Sequence, residues 1–362
     1  MRLQIHAAIT ALFVASSMVA APLAANAQPA KPKNFEAKGI YMTATSMQID
    51  RFYKLVDGLQ KAGGNTVVFD AKDEDGIVSY PSNVPLAKEI GASKQGPLRD
   101  LKKRVDYLHS KGIHVVGRIC LFHDPILAKQ RPDLALKTFA GKAFPEKGKP
   151  AWSDPYLPAV QQYNIDLAKE LTSMGVDEVQ FDYIRYPAQG QIKEINYGFD
   201  PAKTPKHTVI TGFLKKAYDE MHRAGKLVSI DVYGVIAWQQ SIDERITGQR
   251  VQDLAKYTDA ICPMVYPSHF GPGFDKYSKP GDQPYYFVSK GVSKLAKLTE
   301  GSGVTIRPWL QAFPWRVSNF GPQYVTTQLK AAHDEKAIGW MMWNAGNKYE
   351  AAYSGIARFY GK

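Results

Sequence analysis

The chain has 362 residues, of which 44% are hydrophobic and 22% are charged, a balance that excludes disordered, fibrous and polytopic membrane classes. Lysine and arginine number 46 against 34 aspartate and glutamate residues, so the formal net charge is +12. The positive residues form neither a basic helix nor an RNA-recognition motif, so we predict no nucleic-acid partner, whereas an anionic partner is compatible with the charge.

The N-terminal segment predicts export. Met1-Arg2 leads into an apolar run from Ala7 to Ala25, and the run ends at a small-residue site, Ala25-Asn26-Ala27. This pattern is typical of a cleaved secretory signal. An uncleaved anchor is the alternative, but the run is short for a spanning helix and two serines interrupt it. We expect a signal peptide at 1–27, a leader at 28–38, a single domain at 39–362 and a periplasmic or extracellular location with no stable membrane span after cleavage.

After the leader, β-rich runs alternate with helical patterns eight times. The β-rich runs are 39–44, 66–72, 114–122, 178–186, 227–235, 260–267, 305–313 and 339–345. The helical patterns are 51–61, 98–110, 158–173, 208–223, 285–298, 324–333 and 349–359, with a less regular one within 250–257. Eight such units predict an α/β fold, a (β/α)₈ TIM barrel. An open doubly wound sheet is the alternative, but the chain has neither a GxxxxGK[ST] loop nor a GxGxxG turn.

The connections differ in length at the two ends of this predicted barrel. Helix-to-strand connections are short and marked by glycine, whereas strand-to-helix connections are long, notably 73–97, 123–157, 187–207 and 271–284. All the long loops should therefore emerge at the C-terminal face, where active sites of such barrels lie.

Alternation along each strand predicts which side chains face the barrel interior. In the fourth run Val179, Phe181 and Tyr183 form an apolar set that should face the helices, which turns Gln180 and Asp182 inward. The same rule applied to the other runs places further polar side chains inside: Asp70, Lys72, Arg118, Ser229, Asp231, Tyr233, Tyr266, Arg307, Trp309, Gln311 and Asn344.

Two inward carboxylates on neighbouring strands, Asp182 and Asp231, are what glycoside cleavage requires. One carboxylate stays ionised to attack or stabilise the sugar centre, and the other stays protonated to donate to the leaving oxygen. Arg118 or Arg307 nearby would keep one of them ionised. Asp70 is the reserve partner. The alternative is that these acids are buried ion-pair partners with no chemical role.

Other residue types add less specific signals. Trp152, Trp238 and Trp315 lie outside the regular runs and could stack on sugar rings, with core packing as the alternative. The two cysteines lie in strand-like segments and predict buried free thiols. The chain has no HExxH, HxH, cysteine cluster or GxSxG motif, so we predict no metal, no cofactor and no serine nucleophile.

Six motifs carry a resemblance to a known family: GIYMTA at 39–44, VFDAKDEDG at 68–76, VQFDYIRYP at 179–187, MVYP at 264–267, RPWLQAF at 307–313 and GWMMWNA at 339–345. With these motifs the chain resembles a bacterial family of "putative glycoside hydrolase domains", formerly a domain of unknown function. The resemblance implies a secreted or envelope-associated TIM barrel related to the α-amylase-like glycosidases and acting on a polysaccharide.

In those relatives the nucleophilic aspartate closes the fourth strand and the acid/base follows the fifth, which matches Asp182 and Asp231. Gln180 stands where the relatives have an arginine, and Asp231 stands where they usually have glutamate.

The sequence therefore predicts an exported glycoside hydrolase with Asp182 and Asp231 as catalytic residues. The predicted substrate contacts are Asp70, Lys72, Arg118, Tyr266, Trp309, Gln311, Asn344 and Trp238. One alternative is a non-catalytic polysaccharide-binding barrel that uses the same cleft. Another is a metal-dependent carbohydrate deacetylase centred on His123 and Asp124, a pair whose simpler interpretation is a hydrogen bond within a loop.

Overall fold

Eight parallel strands form a closed barrel in the computed structural model, which describes residues 35–238 and 241–362. The predicted signal peptide and most of the leader lie outside the described residues. The strands are β1 (Lys38–Met42), β2 (Thr66–Lys72), β3 (His114–Cys120), β4 (Glu178–Asp182), β5 (Leu227–Tyr233), β6 (Ala260–Met264), β7 (Thr305–Ile306 and Trp309–Gln311) and β8 (Trp340–Trp343).

The strands follow one another around the barrel in chain order. Parallel pairing of β8 with β1, with Lys38 opposite Trp340, closes the ring. Strand β7 has two segments, both paired with β6, and Pro308 lies between them. Proline has no N–H to donate to a ladder, so an interruption at this position is expected. The TIM-barrel prediction is confirmed.

Helices between the strands form the outer layer. They are α1 (Arg51–Ala62), α2 (Leu101–Ser110), α3 (Pro158–Ser173), α4 (Lys206–Arg223), α5 (Val251–Leu254), α6 (Pro284–Leu298), α7 (Pro322–Asp334) and α8 (Glu350–Phe359). Short additional helices occupy Ala44–Gln48, Pro85–Ile90, Pro125–Gln130 and Ser241–Thr247. Within the described part of the chain, every helix is too short or too polar to cross a membrane.

The barrel wall separates two apolar layers, as strand alternation requires. Phe181 and Ile230 belong to the large cluster between the strands and the helices, where the Phe181 ring contacts Phe213 of α4. Val68, Val116 and other inward residues form a smaller cluster inside the barrel. Both cysteines are buried free thiols, as predicted.

A buried polar network lies at the N-terminal end of the barrel. Glu178 of β4 accepts a hydrogen bond from Arg307 Nη1 at 2.7 Å, contacts His114 Nε2 at 3.1 Å and accepts another from the Ser229 hydroxyl. Burial alone would raise the pKa of Glu178, but Arg307 and the other partners lower it to about 2. Arg307 faces inward as predicted, but it pairs with Glu178 and not with a carboxylate at the barrel mouth.

The long strand-to-helix loops cover the opposite end. Two short antiparallel pairs order them: Lys137–Thr138 pairs with Ile195–Asn196, and Pro145–Glu146 pairs with Lys149–Pro150. The first pair joins the loop after β3 to the loop after β4. These loops therefore form a continuous wall on one side of the barrel mouth.

Lys72 does not face the interior, which corrects the sequence prediction. The register of β2 against β3 shifts between Asp70 and Lys72, so that Lys72 lies opposite the outward-facing Ile119. A bulge of this kind reverses side-chain alternation. Lys72 Nζ is buried and contacts Asp124 Oδ2 at 2.8 Å and Asn164 Oδ1 at 2.9 Å.

This geometry predicts that Lys72 stabilises the fold. The substitution Lys72→Met should lower the free energy of unfolding by about 3–5 kcal/mol, because it leaves the Asp124 carboxylate buried without its cation. Urea denaturation followed by circular dichroism measures the change.

Lys102→Met is the matched control, because Lys102 forms an exposed ion pair with Asp106. Its loss should change the free energy of unfolding by less than about 1 kcal/mol. Equal losses for the two variants would contradict the assignment.

Candidate active site

Arg118 of β3 holds carboxylates from the two neighbouring strands at the C-terminal end of the barrel. Its Nη1 donates a hydrogen bond to Asp70 Oδ1 of β2. Asp182 Oδ2 of β4 accepts from Arg118 Nη2 at 2.6 Å and from Nε at 3.1 Å. Asp231 Oδ2 of β5 lies 3.7 Å from the same Nε. One guanidinium thus brings together the three acids that strand alternation predicted.

Asp70 has a second partner in Tyr41 of β1, whose hydroxyl donates to Asp70 Oδ2. Burial raises the pKa of Asp70, although Arg118 and the Tyr41 hydroxyl favour the ionised form. Burial also raises the pKa of Tyr41, which keeps its hydroxyl a hydrogen-bond donor. Asp70 therefore positions Arg118 from one side, while Asp182 contacts it from the other.

Asp182 is the last residue of β4, and the chain turns sharply after it. Tyr183 adopts a left-handed backbone conformation with φ of 49°, and its N–H donates to Asp182 Oδ1 at 2.6 Å. This conformation is uncommon for a residue with a side chain and occurs often at functional sites. The Tyr183 ring consequently lines the barrel mouth, and the prediction that it faces the helices is wrong.

Asp231 has a different environment from Asp182. Its Oδ1 accepts a hydrogen bond from Trp309 Nε1 of β7 at 2.7 Å, and its side chain is buried. Burial and the neighbouring Asp182 raise the pKa of Asp231 well above its ordinary value, although Arg118 and Trp309 oppose the shift. Asp231 is therefore better suited to hold a proton than an exposed aspartate is.

Aromatic rings close the side of the site formed by β1, β7 and β8. Trp343 stacks on Tyr41 with ring centroids 4.0 Å apart and meets Trp309 edge-on at 5.5 Å. The Arg118 guanidinium lies over the Trp343 ring at 5.1 Å. These flat side chains hold Arg118 in place and present an apolar surface beside the acids.

A narrow cavity opens above Asp182 and Asp231. Its volume is about 160 Å³, and its lining includes Arg118, Asp182, Asp231, Tyr266, Trp309 and Trp343. Two wider cavities of about 520 and 550 Å³ adjoin it. His269 lines all three, and the half-exposed Trp315 lines both wider ones. The three cavities share lining residues and form one cleft, with Asp182 and Asp231 in its narrow part.

Six of the predicted site residues meet at this point: Asp70, Arg118, Asp182, Asp231, Tyr266 and Trp309. The other predicted contacts have structural partners. Gln311 is fully buried, and its amide bonds the backbone of Ser268 and Phe313 in two loops. Trp238 packs in an aromatic cluster with Phe270 and donates to Asp275.

Asn344 lies at the margin of the cleft. It lines one of the wider cavities, but its amide donates to the carbonyls of Ala312 and Lys348. Its side chain therefore holds the loop after β8 in shape. Of the loop tryptophans, Trp152 is buried and Trp315 is accessible within the cleft.

Several residues of the cleft were not predicted as contacts, although motif sequences contain most of them. They are Tyr41, Glu74, Tyr183, Arg185, Tyr233, His269 and Trp343. Strand alternation did place Tyr233 inside. The others lie within the six motifs, and this position was the available signal for them. His269 is the exception, because it lies two residues after MVYP.

His123 and Asp124 do not act as a pair. Asp124 is buried against Lys72 and accepts from the Leu127 N–H at the start of a helix, whereas His123 contacts Glu146 and the Glu74 carbonyl. Among the described residues, no group of three histidine, cysteine or acidic side chains has a metal-binding arrangement.

A closed parallel barrel with carboxyl groups around a cleft at its C-terminal face is the arrangement of a TIM-barrel glycoside hydrolase. Residues 39–349 match the family described as "Putative glycosyl hydrolase domain". The chain belongs to this family, and the resemblance seen in its motifs is confirmed. None of the curated protein sequences matches the chain.

Two of the solved structures below share the fold, and a third is similar in sequence. The PgaB (BpsB) glycoside hydrolase domain from Bordetella bronchiseptica is 12% identical, with a TM-score of 0.66 over 89% of this chain and 98% of that one. An α-galactosidase from Thermus thermophilus is 13% identical, with a TM-score of 0.57 over 92% and 63%. A hypothetical protein from Ruminiclostridium thermocellum ATCC 27405 is 36% identical over 53% of this chain and 97% of that one, with a TM-score of 0.48.

The environment of Asp231 predicts a pH-dependent effect of Asp231→Asn on stability. The pKa of Asp231 in the folded protein lies above the unfolded value of about 3.9, so this group stabilises the fold at low pH and the contribution is lost as pH rises. The stability of the variant relative to wild type should therefore increase with pH above about 4, with a limiting slope of about 1.4 kcal/mol per pH unit.

Urea denaturation at a series of pH values measures this difference. Asp106→Asn is the control, because Asp106 is exposed on α2. Parallel curves for Asp231→Asn and wild type would contradict the raised pKa.

Proposed function

We propose that the protein is an exported glycoside hydrolase in which Asp182 is the nucleophile and Asp231 is the general acid/base. One observation carries the proposal: two carboxyl groups line one cavity beside a single guanidinium, and of these two only Asp182 receives direct hydrogen bonds from it. Arg118 donates two hydrogen bonds to Asp182 and stabilises its carboxylate. Asp231 is buried beside that negative charge, which raises its pKa.

The spacing of the two groups supports a retaining mechanism. The Oδ2 atoms of Asp182 and Asp231 lie 3.1 and 3.7 Å from the same Arg118 Nε. The distance between these two Oδ2 atoms is therefore at most the sum of the two values. Retaining glycosidases place their carboxyl groups about 5–5.5 Å apart, and inverting enzymes need about 6.5–9.5 Å to admit a water molecule. The largest possible distance between the two Oδ2 atoms reaches only the lower edge of the range for inverting enzymes.

The proposed reaction has two steps. Asp231 gives its proton to the glycosidic oxygen as the bond from that oxygen to the anomeric carbon breaks, and an oxygen of Asp182 bonds to the anomeric carbon. Asp231 then takes a proton from a water molecule, whose oxygen attacks the anomeric carbon and releases Asp182. Arg118 and Asp70 keep Asp182 in position throughout.

The shape of the cleft supports a polymeric substrate. The narrow cavity at the acids adjoins two wider ones, so sugar units on either side of the cleaved bond can occupy the cleft together. Trp315 offers an exposed ring in that region, and aromatic faces stack on sugar rings. We therefore propose a polysaccharide or a long oligosaccharide as substrate.

Asp182→Asn and Asp231→Asn test the catalytic assignment. Asp182→Asn should lower sugar release from envelope and capsule polysaccharides by about 10³-fold or more, because an amide is a poor nucleophile. Asp231→Asn should lower it by about 10²–10⁴-fold. On nitrophenyl glycosides, whose leaving groups depart with little help from a proton, Asp231→Asn should lose less activity in the bond-breaking step than on polysaccharides.

Asp106→Asn serves as the control carboxylate outside the cleft and should retain full activity. Equal sugar release by wild type and Asp182→Asn would remove Asp182 from the mechanism. Bound oligosaccharide that keeps its length after prolonged incubation with wild type would favour a binding protein without hydrolytic activity.

The N-terminal segment supports export of the enzyme. Expression of the full chain in a bacterium should yield a periplasmic or secreted protein that begins at Gln28, as measured by intact mass and N-terminal sequencing. Ala27→Arg should block processing, because the cleavage site requires small residues. Recovery of wild type from the cytoplasm with Met1 retained would contradict this prediction.

A further inference from the structure

Arg185 is a buried cation in the wall of the cleft, three residues after Asp182. Arg185 is 7% exposed and lines the narrow cavity together with Asp182 and Asp231. Three aromatic rings surround its guanidinium: Tyr233 at 4.3 Å and Trp152 and Tyr183 each at 5.0 Å. Aromatic faces attract a cation and hold this group beside the acids.

Arg185 differs from the other buried arginines in its partners. Arg118 pairs with Asp70 and Asp182, and Arg307 pairs with Glu178. Within the described ranges, Arg185 forms no ion pair, and its side chain makes one hydrogen bond, from Nη1 to the Tyr186 carbonyl at 3.1 Å. A guanidinium has five N–H donors, so four are left without a protein acceptor.

An unpaired buried charge is unfavourable, and the ring contacts offset only part of this cost. An acidic ligand in the cavity would supply the missing acceptors. A guanidinium binds planar carboxylates and sulfate or phosphate oxygens with two parallel hydrogen bonds, which makes arginine well suited to this recognition.

The loop next to Arg185 carries further positive charge. Trp152, one of the three rings, donates to Glu146 at 2.8 Å, and Glu146 belongs to the small hairpin formed by Pro145–Glu146 and Lys149–Pro150. Exposed Lys147 and Lys149 lie on that hairpin. The two lysines outnumber Glu146, so the hairpin carries a net positive charge that would attract an anionic polymer.

We propose that Arg185 binds the acidic substituent of a sugar unit next to the cleaved bond, and that the substrate is consequently an acidic polysaccharide. The location of this subsite rests on the function proposed above. The shared chemistry is a sugar that carries a carboxylate or a sulfate.

Binding of matched monosaccharides tests the proposal without cleavage. The probes are D-glucuronate against D-glucose, D-galacturonate against D-galactose, and D-glucose 6-sulfate as the sulfated arm, titrated into the full-length processed protein by NMR or calorimetry. Wild type should bind at least one acidic sugar about 10- to 100-fold more tightly than its neutral counterpart. Arg185→Gln should remove this preference, whereas Arg185→Lys should keep part of it.

Arg223→Gln is the matched control, because Arg223 is exposed at the C-terminal end of α4, at the opposite face of the barrel, and the change in net charge is the same. It should leave the preference intact. The proposal would be overturned if wild type prefers no acidic sugar, and this result does not depend on whether Arg185→Gln folds. It would also be overturned if Arg223→Gln loses the preference. If acidic sugars bind but no polymer is hydrolysed, the result would support this subsite and contradict the proposed hydrolytic function.

Discussion

The ion pairs of Arg118 are the interaction on which the site depends. Its guanidinium lies inside the barrel between Asp70 and Asp182 and within 3.7 Å of Asp231, so one positive charge stabilises acids from three strands. Without it, three carboxyl groups would crowd a buried space and repel one another. Arg118 also gives Asp182 and Asp231 different environments, because it donates hydrogen bonds to Asp182 but lies 3.7 Å from Asp231. This asymmetry is the basis of the roles proposed above for the two aspartates, nucleophile and proton donor.

Arg118 also bears on one departure of this sequence from the α-amylase-like pattern that its motifs resemble. The resemblance places an arginine two residues before the nucleophile, where this chain has Gln180. In the barrel Arg118 is the register partner of Gln180 on the adjacent strand. The same charge therefore reaches Asp182 from β3 instead of β4. Gln180 points into the interior below, where its amide contacts Cys262.

The two ends of the barrel use similar residues for different purposes. At the N-terminal end Arg307 pairs with Glu178, which also contacts His114 and Ser229. These partners lower the pKa of Glu178 to about 2. At the mouth Asp231 receives one direct donor, from Trp309, and its pKa rises. Glu178 is thus fully paired and away from the mouth, whereas Asp231 is incompletely paired beside a cavity, which makes Asp231 the candidate for proton transfer.

Much of the fold and half of the site followed from the sequence by itself. Alternation of strand and helix patterns predicted the barrel, and the period of two along strands predicted that Asp70, Arg118, Asp182 and Asp231 face inward. Period alone could not detect the bulge that turns Lys72 outward or the left-handed turn that brings Tyr183 into the cleft. Both depend on backbone geometry that neighbouring strands and loops impose. Only the tertiary structure decided which acid Arg118 holds and that Arg185 stays unpaired, because partners distant in sequence set these contacts and their charges.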